Sequence, residues 1–193
     1  MKLPLSSRSE VLHSIVGHLR EVAVDPGEHR SIFWNVCVNG LIAGHLIPAR
    51  LRTFLYRALG LDISPRALVR PGVIFRDSKV TIGAGSTVNY RCIFDNREGV
   101  IIGKGVGVGI GVIFLNTDHE LANPKRRAGP SKWASVHVGD GVFIGSSVTI
   151  LPGVNIARGS VIAAGAVVTR DCGPDGVYAG TPARRIRELP VHA

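Results

Sequence analysis

The sequence predicts a mainly β protein built as a parallel β-helix of about six coils, and three observations carry that prediction. Aliphatic residues recur every six positions without a miss at Val138, Ile144, Ile150, Ile156, Ile162 and Val168. Ile, Val and Leu fill 56 of 193 positions, so six consecutive hits would arise by chance less than roughly once in a thousand trials. The same register appears earlier as the triplets Ile63, Val69, Phe75, then Ile82, Val88, Phe94, then Ile102, Val108, Phe114. Finally, the chain carries 24 glycines and only 6% aromatic residues, a composition for a backbone that turns often.

Each hexapeptide supplies a short strand and a corner, and three of them make one triangular coil. The aliphatic residue points inward and stacks on its equivalents above and below. Small residues follow it at Gly139, Gly145, Ala157 and Ala163, and Gly105, Gly111, Gly141, Gly153, Gly159 and Gly165 stand at corner positions. An amphipathic helix needs three- and four-residue spacing, which a period of six does not supply. Period alone leaves the handedness open. Steps of seven (Phe75 to Ile82) and eight (Phe94 to Ile102) read as bulged corners. The step of 24 from Phe114 to Val138 reads as an insertion.

Three segments follow from this. Residues 1–62 form an N-terminal helical cap segment. Within it Pro48 and ARLRTFLYRALG read as a helix ending at Gly60, with Leu51, Phe54, Leu55, Ala58 and Leu59 as its apolar face and the arginines largely elsewhere. Residues 63–172 form the β-helix, with an extruded loop at 118–136. Residues 173–193 form a basic C-terminal tail that turns away from the coils.

Lys and Arg number 23 against 14 Asp and Glu, a net charge of +9. That surplus suits anionic partners or a merely solvated basic surface. Hydrophobic residues at 45% and charged residues at 19% exclude a disordered or coiled-coil chain. Three cysteines with no CxxC argue against a disulfide framework and for a reducing cytoplasm. No apolar signal-peptide region opens the chain. The uncharged stretch from Ser31 to Ala49 is marginal for a membrane span of ~20 residues and reads as a packing helix, with peripheral membrane contact as the lesser alternative.

His119, in Asn116-Thr117-Asp118-His119-Glu120, stands where the coil register breaks. A histidine between a rigid scaffold and a loop suits a general base; a surface loop histidine is the bland alternative. Asp118 and Glu120 flank it as candidates to orient the imidazole, but adjacent side chains often point apart, so neither is assigned that role. GKGVGVGIG lacks both GxGxxG and GK[ST], and GxSxG and HExxH are absent. Only His119 and His137 lie in the repeats, too few for a three-histidine zinc site, so no metal is expected. The basic groups lack aromatic interleaving, so nucleic acid is not an expected partner.

From Asn116 to Pro190 the segments NTDHE, VGDGVFIGSSVTILPGVNI, GSVIAAGAVVTRD and YAGTPARRIREL together resemble the hexapeptide-repeat, left-handed β-helix O-acetyltransferases. The maltose, galactoside, nodulation and polysaccharide-biosynthesis types are nearest in pattern, and the likeness spans residues 63–190. The first 60 residues are similar to the helical leader of the polysaccharide type. The resemblance implies direct transfer of an acetyl group from acetyl-CoA to a hydroxyl, at clefts between subunits of a homotrimer.

It also implies roles by position. His119 matches the catalytic base, and Asn89 the asparagine that contacts the acceptor thirty residues earlier. Phe143 matches a position, commonly Trp, beside the pantetheine arm. Ser146, Ala164 and Thr169 match the pantetheine and adenine groove, and Arg170, Arg184 and Arg187 match basic positions near the CoA phosphates. A backbone N–H at Gly145 or Ser146 is the expected oxyanion donor. Lys125, Arg126 and Arg127 in the loop would reach CoA or an anionic acceptor, or are merely solvated, and Trp133 is a lid or sugar-stacking residue or anchors the loop to a neighbouring subunit. The resulting expectation is a cytoplasmic acetyltransferase acting on a sugar or glycosylated metabolite. A streptogramin-type antibiotic acceptor and a non-catalytic scaffold are the alternatives.

Overall fold

The computed structural model of the chain describes residues 32–190. The chain divides into two compact units, Met1–Cys37 and Val38–Ala193. Of the first, residues 32–37 are described; they are helical and open the π-helix Asn35–Ile42. The part of the expected cap segment before residue 32 lies outside the described residues. Among those described, no helix is long and apolar enough to cross a membrane.

The second unit begins with the end of the π-helix and the helix α1 (Ala49–Ala58), followed by a three-faced parallel β-helix. Its first coil is β1 (Asp62–Ile63), β2 (Leu68–Val69) and β3 (Ile74–Phe75). The second is β4 (Val80–Ile82), β5 (Thr87–Val88) and β6 (Ile93–Asp95), and the third β7 (Val100–Ile102), β8 (Gly107–Val108) and β9 (Ile113–Leu115). A hairpin, β10 (Thr117–His119) and β11 (Ser131–Trp133), then interrupts the coils. The fourth coil is β12 (Val136–Val138), β13 (Phe143–Ile144) and β14 (Thr149–Ile150), the fifth β15 (Asn155–Ile156), β16 (Val161–Ile162) and β17 (Val167–Val168). A partial sixth adds β18 (Gly176–Ala179).

Strands stack in parallel into face A (β1, β4, β7, β12, β15), face B (β2, β5, β8, β13, β16, β18) and face C (β3, β6, β9, β14, β17). Each of the fifteen triplet residues is the inward residue of one strand and is buried. Phe75, Phe94 and Phe114 form a ring ladder under face C, with centroids 4.9 and 4.6 Å apart. Every departure from the six-residue period falls at the corner between faces C and A. There Asn96, buried, bonds both the N–H and the carbonyl of Asp77 one coil below, which holds the irregular turns in line.

The C-terminal segment differs from the expected tail. Instead of turning away, residues 176–188 extend face B: β18 pairs in parallel with β16, and β19 (Arg184–Glu188) folds back antiparallel on β18. The upward amides of the fifth coil require partners, and Tyr178 and Gly180 supply carbonyls to Ala163 and Val167 at 2.8 and 3.0 Å.

The opposite end explains a second difference. Amides of the first coil donate to carbonyls of the second, as in Leu68 to Ser86 and Arg70 to Val88, both 2.9 Å. The face carbonyls of the first coil, unlike the corner carbonyls of Arg66 and Pro71, therefore point out of the stack, where no further coil can use them. Polar side chains of the cap bond three of them: Arg52 Nη1 donates to Val69 at 3.1 Å, Thr53 Oγ1 to Ala67 at 3.3 Å and Asn39 Nδ2 to Phe75 at 3.0 Å. So α1 buries Arg52, Thr53 and Tyr56, while Leu51, Phe54 and Ala58 of its expected apolar face are exposed. Arg52, only 1% exposed, also donates to the carbonyls of Ile42, Gly44 and Ile47. Burial lowers its pKa, and it remains a cation solvated by backbone dipoles. Tyr56 meets the Phe75 ring edge-on at 5.2 Å and continues the aromatic ladder into the cap.

Replacing Arg52 with Met keeps the bulk and strands these acceptors. It is expected to lower stability by about 2–4 kcal/mol, read as a lower urea midpoint at unchanged slope. An unchanged midpoint would refute the capping role.

Candidate active site

The hairpin that bears His119 grows from the C–A corner and is tied down at its base. Asn116, fully buried, accepts the N–H groups of Glu98 and Gly99 at 3.2 and 3.0 Å through Oδ1. Its carbonyl accepts Ala134 N–H at 3.0 Å, where the chain returns. Asp95 Oδ2 accepts Thr117 N–H at 3.2 Å, and Arg76 holds Asp95 Oδ1 at 2.7 Å. Trp133 lies beneath the Arg97 guanidinium, 4.7 Å from its ring centroid, a cation–π contact that anchors the second strand.

His119 is exposed at the end of β10, opposite Ser131. Its Nδ1 lies 2.9 Å from the Gly129 carbonyl. A carbonyl only accepts, so Nδ1 carries the proton of that bond, and in the neutral imidazole the lone pair is on Nε2. The flanking carboxylates are engaged elsewhere: Asp118 Oδ1 accepts the His119 backbone N–H at 2.7 Å, and Glu120 pairs with Lys132 at 3.3 Å. Gly129, which no sequence signal marks, thus takes the orienting part that the neighbouring acids were candidates for. A side chain there would press on the Glu120 carbonyl, since a Cβ would stand 2.6 Å from it.

Asn89 is half-buried, follows β5 at the B–C corner, and its Oδ1 accepts Tyr90 N–H at 3.0 Å. Asn89 follows face B at its junction with face C, whereas the hairpin of His119 leaves the coils after face C, so the two start from different corners of the coil. The other candidates divide the same way. Ser146 and Ala164 lie on the B–C edge in coils four and five; Thr169 and Arg170 follow β17 at the C–A corner. Phe143 is half-exposed on face B, its ring over Gly107, where a Cβ would come within 3.1 Å of Cδ2. Arg184 and Arg187 are exposed on β19, opposite Ala179 and Val177. Arg185 between them is engaged, bonding the Pro174 carbonyl and pairing with Glu188.

The B–C edge is smooth because successive coils touch there backbone to backbone. A Cβ on Gly109 would stand 2.6 Å from Ser146 N, and one on Gly145 2.5 Å from Ala164 N. Of the two expected oxyanion donors, Gly145 is excluded: its N–H donates to the Ile162 carbonyl at 2.8 Å as a rung of the ladder. Among the described residues no three His, Cys, Asp or Glu side chains are grouped to hold a metal.

Burial pushes the Asp95 carboxyl up, but hydrogen bonds from Thr117 and Arg76 and the Arg76 charge outweigh it and hold the group below its ordinary value. A lowered folded pKa contributes stability above the unfolded value of about 3.9 that disappears as pH falls through the folded one. Asp95→Asn is therefore expected to be less stable than wild type at neutral pH, with the gap in urea midpoint closing below about pH 4. A gap that stayed constant with pH would refute the ionic role.

Residues 135–170 match the family described as bacterial transferase hexapeptide (six repeats). Nodulation protein L of Rhizobium meliloti strain 1021 is 36% identical over 132 residues, 68% of this chain and 72% of that one. A maltose O-acetyltransferase from Clostridium difficile 630 superposes with a TM-score of 0.76 at 27% identity, covering 88% of this chain and 91% of its own. A hexapeptide-repeat acetyltransferase of Vibrio cholerae O1 biovar eltor, solved with acetyl-CoA, gives a TM-score of 0.75 at 26% identity, covering 87% and 92%.

Proposed function

Since the chain belongs to the hexapeptide-repeat acetyltransferases and is a left-handed β-helix enzyme dependent on CoA, we propose that it transfers the acetyl group of acetyl-CoA to a hydroxyl of a sugar or glycosylated metabolite, with His119 as general base. The single observation that carries the reading is the Gly129 carbonyl on His119 Nδ1, which leaves Nε2 as the basic atom. The maltose-acetylating relative supports a sugar acceptor, and the acetyl-CoA complex supports the donor.

The chemistry needs no covalent enzyme intermediate, because a thioester is already activated. Nε2 takes the proton of the acceptor hydroxyl as its oxygen bonds to the thioester carbon. The tetrahedral oxyanion is stabilised by a backbone donor, for which Ser146 N–H is the candidate. The C–S bond then breaks, and the imidazolium returns the proton to the leaving thiolate. Acetylated acceptor and free CoA result, with atoms and charge balanced. Phe143, Ser146 and Ala164 would receive the pantetheine arm, with Thr169 beside the adenine. Arg170, Arg184 and Arg187 would receive the phosphates, where guanidinium forks suit bidentate contact.

The division of these residues between two edges supports a homotrimer. Face C turns Ile74, Ile93, Ile113, Thr149 and Val167 outward, and Ile74 and Ile93 are 43% and 38% exposed. Three chains packing this apolar row about a threefold axis would bring the B–C edge of one against the C–A edge of the next. Asn89 and His119 would then share a site, as would the two groups of CoA residues. Three unbridged cysteines, two of them buried, fit the reducing cytoplasm.

Thiol release from acetyl-CoA over a panel of sugars, nucleotide sugars and hydroxylated antibiotics tests the acceptor class. His119→Ala is expected to lose at least about a hundredfold in kcat while still binding acetyl-CoA. Co-expressing His119→Ala and Asn89→Ala chains tests the shared site: random trimers restore about a quarter of the interfaces, whereas a site within one chain restores none. Full activity in His119→Ala would refute the base.

A further inference from the structure

The helix α1 wears its amphipathicity inside out. Its polar residues Arg52 and Thr53 are consumed at the end of the coil stack. Leu51, Phe54 and Ala58 share the opposite side, at three- and four-residue spacing, and face outward, with Phe54 61% exposed. Arg50 and Arg57, both exposed, flank that stripe on one side. The segment leading into the helix adds Leu41 at 66% and Leu46 at 98% exposure. From Ile32 to Leu61 the chain contains no Asp or Glu, while it carries three arginines. An exposed apolar stripe flanked on one side by arginines is the composition of a helix that lies in a membrane interface, with its arginines reaching to lipid phosphates.

We propose that this end of the prism is a docking surface for an anionic lipid bilayer, with α1 lying in the headgroup region. Charge decides the occupant: a protein partner or a second copy could cover the leucines alone. A segment with three arginines and no acid from Ile32 to Leu61, on a chain of net charge +9, is complementary to a negatively charged leaflet. Ten residues with two large apolar groups bind weakly by burial alone, so the electrostatic attraction is required and the binding is salt-sensitive.

Vesicle flotation of the full chain tests this. The wild type is expected to float with phosphatidylcholine vesicles containing about a third phosphatidylglycerol, and not with phosphatidylcholine alone or at about 0.5 M salt. Leu46→Glu with Phe54→Glu, and separately Arg50→Glu with Arg57→Glu, are each expected to lower the floated fraction about tenfold. Circular dichroism, melting temperature and acetyl-CoA thiol release should be unchanged. Absence of flotation with the anionic vesicles, or flotation unaffected by both pairs, overturns the proposal. So does a fall in melting temperature when Leu46→Glu and Phe54→Glu are combined, which would mean that the chain itself covers the stripe. A change in assembly size in that double variant overturns it too, since a second copy would then be the occupant.

Discussion

A strand of two or three residues has too few bonds to hold itself, and every coil strand of this protein is that short up to the fifth coil. What holds each is the ladder of backbone hydrogen bonds passing from one coil's amides to the next coil's carbonyls. The inward aliphatic residues keep that ladder dry, and the small residues at the corners let neighbouring backbones approach closely enough to form it. The ladder has a direction, so its two ends pose different problems. At one end carbonyls lack donors, and the cap supplies Arg52, Thr53 and Asn39. At the other end amides lack acceptors, and the β18 strand and its following turn supply them.

The same direction governs where chemistry can be mounted. A corner with the regular six-residue step has no slack, whereas the C–A corner already absorbs one and two extra residues in successive coils. The insertion of the hairpin there continues a tolerance that Asn96 and Asn116 make possible, each bonding backbone of the preceding turn. His119 is therefore carried on a projecting element whose root is rigid. The smooth B–C edge has the opposite character. Its Gly109 and Gly145 have no room for side chains, so that edge is lined by backbone and small groups. Face C, with its outward isoleucines, lies between the two.

Much of this was legible in the sequence. The fifteen inward residues follow from period six alone, because a triangular coil repeats its geometry at every turn. The break in the coils at His119 was legible for the same reason. The face of α1 was not: apolar periodicity marks the side a helix buries against a dry core, and the end of a ladder is lined by carbonyls. Arg52 was the better partner for such a surface than Leu51 or Phe54. Nor was Gly129 legible, since its part depends on a carbonyl brought to the imidazole by hairpin register, to which the side-chain pattern is blind. Gly145 shows the converse. Its place beside the groove made its N–H a candidate donor, and only the ladder reveals that the bond is already made.

The capping arginine has a consequence beyond stability. A column of outward carbonyls spaced for strand pairing is a template on which another extended chain, or the amide end of a second prism, could continue the parallel order indefinitely. Arg52 obstructs that template, because its guanidinium approaches Val69 from a helix and offers no matching row of acceptors to pass the pattern on. At the far end β19 reverses direction and breaks the parallel repeat. A fold that is in principle open-ended is thereby kept to a finite number of coils, and the protein is protected from joining end to end into fibres.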